Sequence, residues 1–381
     1  MTINTLPLRK YQRFLESVIE RGNQQYESVC IDTRSKKLRF STSRVKGTLN
    51  LDATISDAEQ AYPLIYLDTV LFLTLVREYP SLDMDDKYVF SPTDKVSDST
   101  FNLAPLIEDF EEASDFSSDG FEFQELDLSN RDPSSLMGYL TSAASFAAVD
   151  PGSPYCGVFL EDGRVIGSDR QMFYERHLTD PVSQAFGLPL WCLDLIKTIP
   201  FDVIRIGLKN AVFQIAADDE DFVFQMTTSN SLSTPPVTNP AFIQAYTFPS
   251  GLIVSRQELL DQLKFFKPFV KYSPNLRVEL TVEQDRLLIR SVSSTTYSSK
   301  DAKRRFPIRL SDAGLVGLTF QVNLDYLSKV VGTLTTDNIQ LLTSVNSFVI
   351  NLVGLVSSGQ AGDQSLVPDH NFHVILTKLK A

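Results

Sequence analysis

A chain of 381 residues exceeds the roughly 250–300 at which one hydrophobic core stops growing, so more than one domain is expected. Its 43% hydrophobic and 22% charged residues are those of an ordinary globular protein, which excludes a collagen-like or intrinsically disordered chain. Against 35 basic residues stand 47 acidic ones, a net charge of −12, so nucleic acid can be bound only through a local basic surface.

In chain order, Leu8, Tyr11, Leu15, Val18 and Ile19 share one helical face, with Arg9, Lys10, Arg13 and Arg21 off it and Gly22 as a stop. Runs at 29–32 and 37–41 predict strands, and 68–79 a second helix. Residues 108–127, with Asp109, Glu111, Glu112, Asp115, Asp119, Glu122 and Glu125, read as an exposed acidic linker. Asp132 as N-cap and Pro133 as first helical residue open a helix carrying Leu136, Leu140, Ala143, Ala144 and Ala147, and 189–198 is the next helix. Pro235, Pro236 and Pro240 mark a second break. Ser255 and Glu258 have capping-box spacing before the stripe Leu259, Leu260, Leu263 and Phe266, and Pro268 limits that helix. Strands follow at 277–282 and 286–292. A helix over 323–334 then buries Leu324, Leu327, Val330, Val331 and Leu334 and leaves Lys329 off its face. Strands at 339–343, 348–353 and 372–379 close the chain, with a polar hairpin loop at 357–365.

The order helix, strands, helix, strands thus recurs three times, with a period of roughly 125 residues. Short strands in runs, with only two helices per repeat, indicate an α+β class of antiparallel sheets. Domains are expected over 1–125, 126–250 and 251–381.

Catalytic chemistry finds little support. There is no phosphate-binding Gly-rich loop, no Gly-x-Ser-x-Gly elbow and no His-Glu-x-x-His pair. Cys30, Cys156 and Cys192 lie far apart and read as reduced thiols. His370 and His373 have chelating spacing without a surrounding ligand cluster, and Asp85, Asp86 and the acids of 218–221 read as solvated turns. No enzyme activity, cofactor or metal is expected. The longest nearly unbroken apolar run, 70–76, is far shorter than the roughly 20 residues of a membrane span, and the N-terminus lacks a signal-peptide pattern, so a cytoplasmic protein is expected.

Basic residues recur more suggestively. Arg34, Lys36, Lys37, Arg39, Arg44 and Lys46 crowd one predicted hairpin, and Lys300, Lys303, Arg304, Arg305 and Arg309 another. Arg9, Lys10 and Arg13 on the first helix have counterparts in Arg256, Lys264 and Lys267 on the first helix of the last third. Each cluster alone is a solvated face; their recurrence on equivalent helices points to a shared lining that would hold phosphates without reading bases.

Two stretches carry a family resemblance. Residues 155–161 (Tyr-Cys-Gly-Val-Phe-Leu-Glu) followed by 165–170 (Val-Ile-Gly-Ser-Asp-Arg) resemble the strand pair and small-Thr-Asp-Gly turn of the sliding clamps of bacterial-type replicative DNA polymerases. Residues 320–327 (Phe-Gln-Val-Asn-Leu-Asp-Tyr-Leu) with Val330 and Val331 are similar to that family's Phe-Asn-x-x-Tyr-Leu-x-x-Val-Leu segment, and 258–263 to its Leu-rich opening of the third domain. The sequence departs from the family at 170–173, where Arg-Gln-Met-Phe replaces Gly-His-Arg-Leu, in a middle first helix without Lys or Arg, and in the extra Lys380-Ala381. A divergent, virus-encoded clamp working in a host cytoplasm would account for these differences.

The resemblance implies a ring of six domains from two chains, helices toward duplex DNA and sheets outside, sealed edge to edge. Such a homodimer binds double-stranded DNA without sequence preference, is placed there by a clamp loader ATPase, and tethers the replicative DNA polymerase by a peptide in a hydrophobic groove. The groove would take Tyr155, Ser168, Arg170 and Phe173 from the middle domain, and Tyr246 and Thr247 from the connector. It would add Asn323, Tyr326, Val345 and Ser347, then Val374, Ile375, Leu376 and Lys378 from the tail. DNA-facing cations would be Arg9, Lys10, Arg13, Arg256, Lys264, Lys267 and Lys329, and Phe269 and Val270 would meet a second subunit. The rival reading is a repeat-built structural or assembly protein with no DNA role; a hydrolase lacks a convergent site.

Overall fold

One arrangement recurs along the chain: a strand, a helix, then a three-stranded antiparallel meander. The first third holds it twice. Thr2–Asn4 and Gln12–Ile19 lead into Ser28–Asp32, Lys37–Ser41 and Val45–Asn50; Leu64–Asp68 and Thr69–Glu78 lead into Ser81–Met84, Val89–Pro92 and Phe101–Asn102. In the middle third Phe123–Asp127 and Leu136–Phe146 precede Gly157–Glu161, Arg164–Ser168 and Met172–His177. Phe186–Pro189 and Leu190–Ile196 then precede Val203–Lys209, Val212–Ala217 and Phe222–Thr227. The last third runs Gly251–Ser255, Arg256–Val270, then Arg277–Val282, Arg286–Ser291 and Lys303–Pro307. It ends with Thr319–Asn323, Leu324–Thr333, Asn338–Leu342, Val349–Ser357 and Phe372–Thr377. This computed structural model describes residues 1–19, 28–33, 35–42, 45–51, 55–56, 64–85, 89–93, 99–102, 120–129, 132, 134–150, 152–161, 163–179, 185–217, 222–227, 245–271, 273–292, 302–344, 346–358 and 365–379. Among them the class is α+β, with six α-helices and antiparallel sheets.

Strand exchange locks the two halves of the first third together, and likewise those of the last. The leading strand of one half pairs with the first meander strand of the other: Thr2–Asn4 with Ser81–Met84, and Leu64–Asp68 with Ser28–Asp32. The last third does the same, Gly251–Ser255 with Asn338–Leu342 and Thr319–Asn323 with Arg277–Val282. Neither half can form its sheet alone, because its edge is completed by the other. Pairing also crosses from one third to the next. Phe222–Thr227 joins Val45–Asn50, and Met172–His177 joins Phe372–Thr377, each antiparallel.

By contacts the chain divides into two compact units, and the middle third contributes to both: one is 1–137 with 188–233, the other 138–187 with 234–381. In the first, an eight-stranded sheet runs from Phe123–Asp127 through the 203–227 meander and the 28–50 meander to Leu64–Asp68. Phe14 fills its core, with ring centroids 5.6 Å from Phe40, 5.1 Å from Phe222 and 5.0 Å from Phe224. The second unit builds its larger sheet by the same logic, with the 157–177 meander continued by Phe372–Thr377, Val349–Ser357, Asn338–Leu342 and Gly251–Ser255.

Helix starts follow local chemistry. Asp68, Ser255 and Asn323 each accept a backbone N–H two or three residues into their helices, from Leu71 at 2.9 Å, Glu258 at 3.3 Å and Tyr326 at 3.0 Å. Two arginines close helices from afar. Arg9 Nε donates to the carbonyl of Val76 at 3.1 Å, and Arg256 donates to those of Val331 and Gly332, both at 3.1 Å. A cation at a helix C-terminus satisfies carbonyls without an intrahelical partner and opposes the negative end of the dipole. The same device at matching positions of the first and last thirds supports the repeat.

The structure corrects several expectations. The Leu136–Phe146 helix starts after a turn in which Ser135 donates to the Asp132 carbonyl at 2.9 Å, so Asp132 is no helix cap; Pro133 lies outside the described residues. The Arg256–Val270 helix runs two residues beyond Pro268, which a proline near a helix end permits because few turns remain to be disrupted. The end of the acidic segment is the strand Phe123–Asp127, paired with Val203–Lys209 and burying Leu126. Gly22, the remaining acids of 108–119 and the prolines at 235, 236 and 240 lie outside the described residues.

Candidate functional site

The resemblance at 165–170 folds into a tight turn. The Ser168 hydroxyl donates to the Met172 carbonyl at 2.8 Å and accepts the Arg170 N–H at 3.1 Å. Asp169 Oδ1 accepts the N–H groups of Gln171 at 2.9 Å and Met172 at 2.7 Å. These bonds force residue 170 to φ +75°, a left-handed conformation natural to glycine; here an arginine occupies it. Its guanidinium turns over the Tyr155 ring, 5.0 Å from the centroid.

This turn forms one wall of a cavity of about 600 Å³. Ser145, Ala147, Val149, Asp150 and Pro154 line another side, and Tyr326 and Lys329 project from the first turns of the Leu324–Thr333 helix. Asn323, as N-cap, fixes that helix start and therefore the placement of Tyr326. Burial raises the Tyr326 phenol above its usual range, with the Asp169 charge adding, and lowers the Lys329 ammonium. Lys329 donates to the Ser145 carbonyl and lies 5.4 Å from the centre of the Phe146 ring. The cavity thus joins Arg170 and Tyr326, both expected in a groove, with Lys329, expected to face DNA. Sequence reading missed Ser145 to Pro154; the Asp-x-Gly-Ser-Pro turn just before Tyr155 was the available signal.

Other groove candidates are placed differently. Phe173, Val374, Ile375 and Leu376 are core: strand Phe372–Thr377 is paired on both sides, and these four are at most 3% exposed. Ser168 is buried in its turn. Tyr246 donates its hydroxyl to Glu175, which also accepts Arg164 at 3.3 Å and meets His177 at 3.2 Å. Burial, with the Glu175 charge adding, pushes the Tyr246 phenol far up, and burial pushes His373 down, its ring 4.6 Å from that of Tyr246. Tyr246 therefore pins the connector to the strand seam. Ser347 is bonded to the backbone of Val349, Thr247 is exposed, and Val345 lies outside the described residues.

Lys378 donates to the Ser344 carbonyl at 3.2 Å, and burial lowers its pKa from 10.5 to about 8. Between those two values the unfolded chain holds a proton that the folded chain does not, so stability rises with pH. Below about 8 the burial penalty is constant. We expect urea midpoints of the native protein to climb from about pH 8 to 9.5, and Lys378→Met to flatten that climb. Equal slopes in the two proteins would contradict this assignment.

Of the proposed DNA-facing cations, Arg9 and Arg256 are committed to helix carbonyls as described, and Lys267 pairs with Asp325 at 3.4 Å. Lys10, Arg13 and Lys264 are exposed, with the Lys10 ammonium over the Tyr11 and Phe201 rings. Val270 is fully buried in its own unit and presents nothing to a partner; Phe269 is half-buried beside Phe265, 5.2 Å between centroids. A second cavity, of about 610 Å³, lies beside the Arg309–Leu310 edge strand and contains none of the expected site residues except Arg309 of the basic hairpin. Among the described residues no group of His, Cys, Asp or Glu is arranged to hold a metal ion, and no helix is long and apolar enough to cross a membrane.

Six strand–helix–meander units, with sheets continued from one third into the next, define a DNA-clamp fold. Over its whole length the chain is similar to the solved DNA polymerase III beta subunit of Thermotoga maritima, at 15% identity and a TM-score of 0.72 with 99% of that chain covered. It is similar also to the beta subunit of Pseudomonas aeruginosa, at 14% identity and TM-score 0.74 over 99% of that chain. The sliding clamp of Bacillus subtilis matches at 14% and 0.71 over 98%. All three cover 100% of this chain; at such identities the likeness establishes the fold. No protein-family model matches the sequence, and no curated protein matches it.

Proposed function

We propose that this chain is a DNA polymerase processivity factor: a homodimeric ring that encircles double-stranded DNA without reading its sequence and tethers a replicative DNA polymerase. The observation that carries this reading is the full-length likeness to solved sliding clamps, where a shared single domain would have matched only part of the chain. Three domains, close to 1–125, 126–250 and 251–381, would make half of the ring. Phosphate contacts would come from exposed cations such as Lys10, Arg13 and Lys264, which bind the backbone and so permit sliding. A polymerase peptide would lie in the cavity beside Tyr326, whose half-exposed ring suits an apolar anchor. A clamp loader ATPase would open the ring, the chain's own function being topological and not enzymatic.

Light scattering over a range of concentrations tests the assembly. The expected result is a dimer of twice the 42.7 kDa chain mass. A trimer would rule out a ring of six domains, and a monomer at every concentration, with and without DNA, would favour the structural-protein reading.

A further inference from the structure

The cavity beside Tyr326 contains two cations, Arg170 and Lys329, neither of which is within ion-pair distance of a carboxylate among the described residues. Arg170 keeps a left-handed backbone that glycine would adopt without steric cost. Its guanidinium is exposed, stacked on Tyr155, and among the described residues forms no ion pair. The Lys329 ammonium is partly desolvated and held by the Ser145 carbonyl, which leaves two of its three N–H groups to donate. Two acids share the cavity with one oxygen each held by a turn, Asp169 Oδ1 by two backbone N–H groups and Asp150 Oδ1 by that of Gly152 at 2.9 Å; the Asp169 charge also acts on Lys329, so Arg170 is the freer of the two cations. Apolar surface lies alongside, including Val149, which is 87% exposed.

Building on the groove reading above, we propose that this cavity selects an acidic side chain: the docked peptide places an apolar residue against Tyr326 and Val149 and an Asp or Glu on Arg170 and Lys329. An arginine presents a planar fork suited to a carboxylate, and a second donor from the partly desolvated Lys329 adds to the contact. A chain with glycine at position 170 would lack this preference.

Selection of a random nonapeptide library on phage tests the proposal, with each peptide's C-terminus joined to the coat protein so that only side-chain carboxylates are offered. The full-length protein is the target, in parallel with Arg170→Gly and Lys329→Met; the glycine variant relieves the left-handed backbone and so should fold. The native protein is expected to enrich peptides with apolar anchors and an Asp or Glu at a fixed offset. A synthetic copy with Asn or Gln there should bind about tenfold more weakly, a difference that shrinks in both variants. Apolar anchors without an acid, or an amide copy that binds equally well, would overturn the proposal and leave the groove standing. No enrichment, or peptides indifferent to Tyr326→Ala, would overturn the groove reading itself.

Discussion

Replacing Gly167 with alanine is expected to cost about 3 kcal/mol, the upper end of what an overpacked core position costs. A Cβ at Gly167 would stand 2.1 Å from the carbonyl oxygen of Ala143 and 2.7 Å from its carbon. The obstacle is helix backbone, which cannot swing aside as a side chain does. The helix in turn is held from the neighbouring strand: Gly167 pairs with Tyr174, whose ring lies 5.5 Å from that of Phe146. Gly332 is the contrast, since a Cβ there meets nothing within 4 Å and alanine in a helix gains up to about 1 kcal/mol. Urea unfolding should therefore move in opposite directions for the two alanines. A Gly167→Ala protein as stable as the native one would mean that helix and strand pack less closely than described.

Tyr326→Ala is expected to weaken binding of a polymerase peptide about 30-fold, the effect of losing a central aromatic anchor worth about 2 kcal/mol. Stability should change little, because the ring is half-exposed and the helix start is held by Asn323. Tyr326→Phe should retain most of the affinity, since the ring and not the hydroxyl supplies the contact. Fluorescence anisotropy with a labelled peptide from the cognate polymerase, alongside a thermal melt, separates binding from folding. Undiminished affinity in the alanine variant would remove Tyr326 from the groove.

Local signals in the sequence reached the helices well. Ser255 caps the helix its capping-box spacing predicts, and Asp68 and Asn323, expected as the first residues of their helices, are the caps one residue ahead of them. Strands with alternating patterns, such as Arg277–Val282, were equally legible. What failed was whatever depends on distant partners. Arg9 and Arg256 looked like surface cations, but the carbonyls they satisfy are 67 and 75 residues away in sequence. Val374, Ile375 and Leu376 looked like groove lining, although three consecutive apolar residues in a strand are the mark of burial on both faces. In Phe123–Asp127 the acidic residues obscured the alternation that buries Leu126. The two helices of each third were legible, but the pairing of strands between the halves of the first and last thirds was not, because strand exchange leaves no local pattern. Arg170, Tyr326 and Asn323 were legible only through the resemblance, and Lys329 joined them only once the helix register was known.

Retention on DNA circles tests the central claim most directly. The protein is loaded on a nicked circular duplex by a cognate clamp loader, passed through a sizing column in high salt, and followed before and after the circle is cut once. A topological ring stays with the closed circle, where salt has removed ordinary phosphate contacts, and leaves as soon as the DNA has ends. Equal release from circular and linear DNA, or equal retention on both, would contradict an encircling clamp.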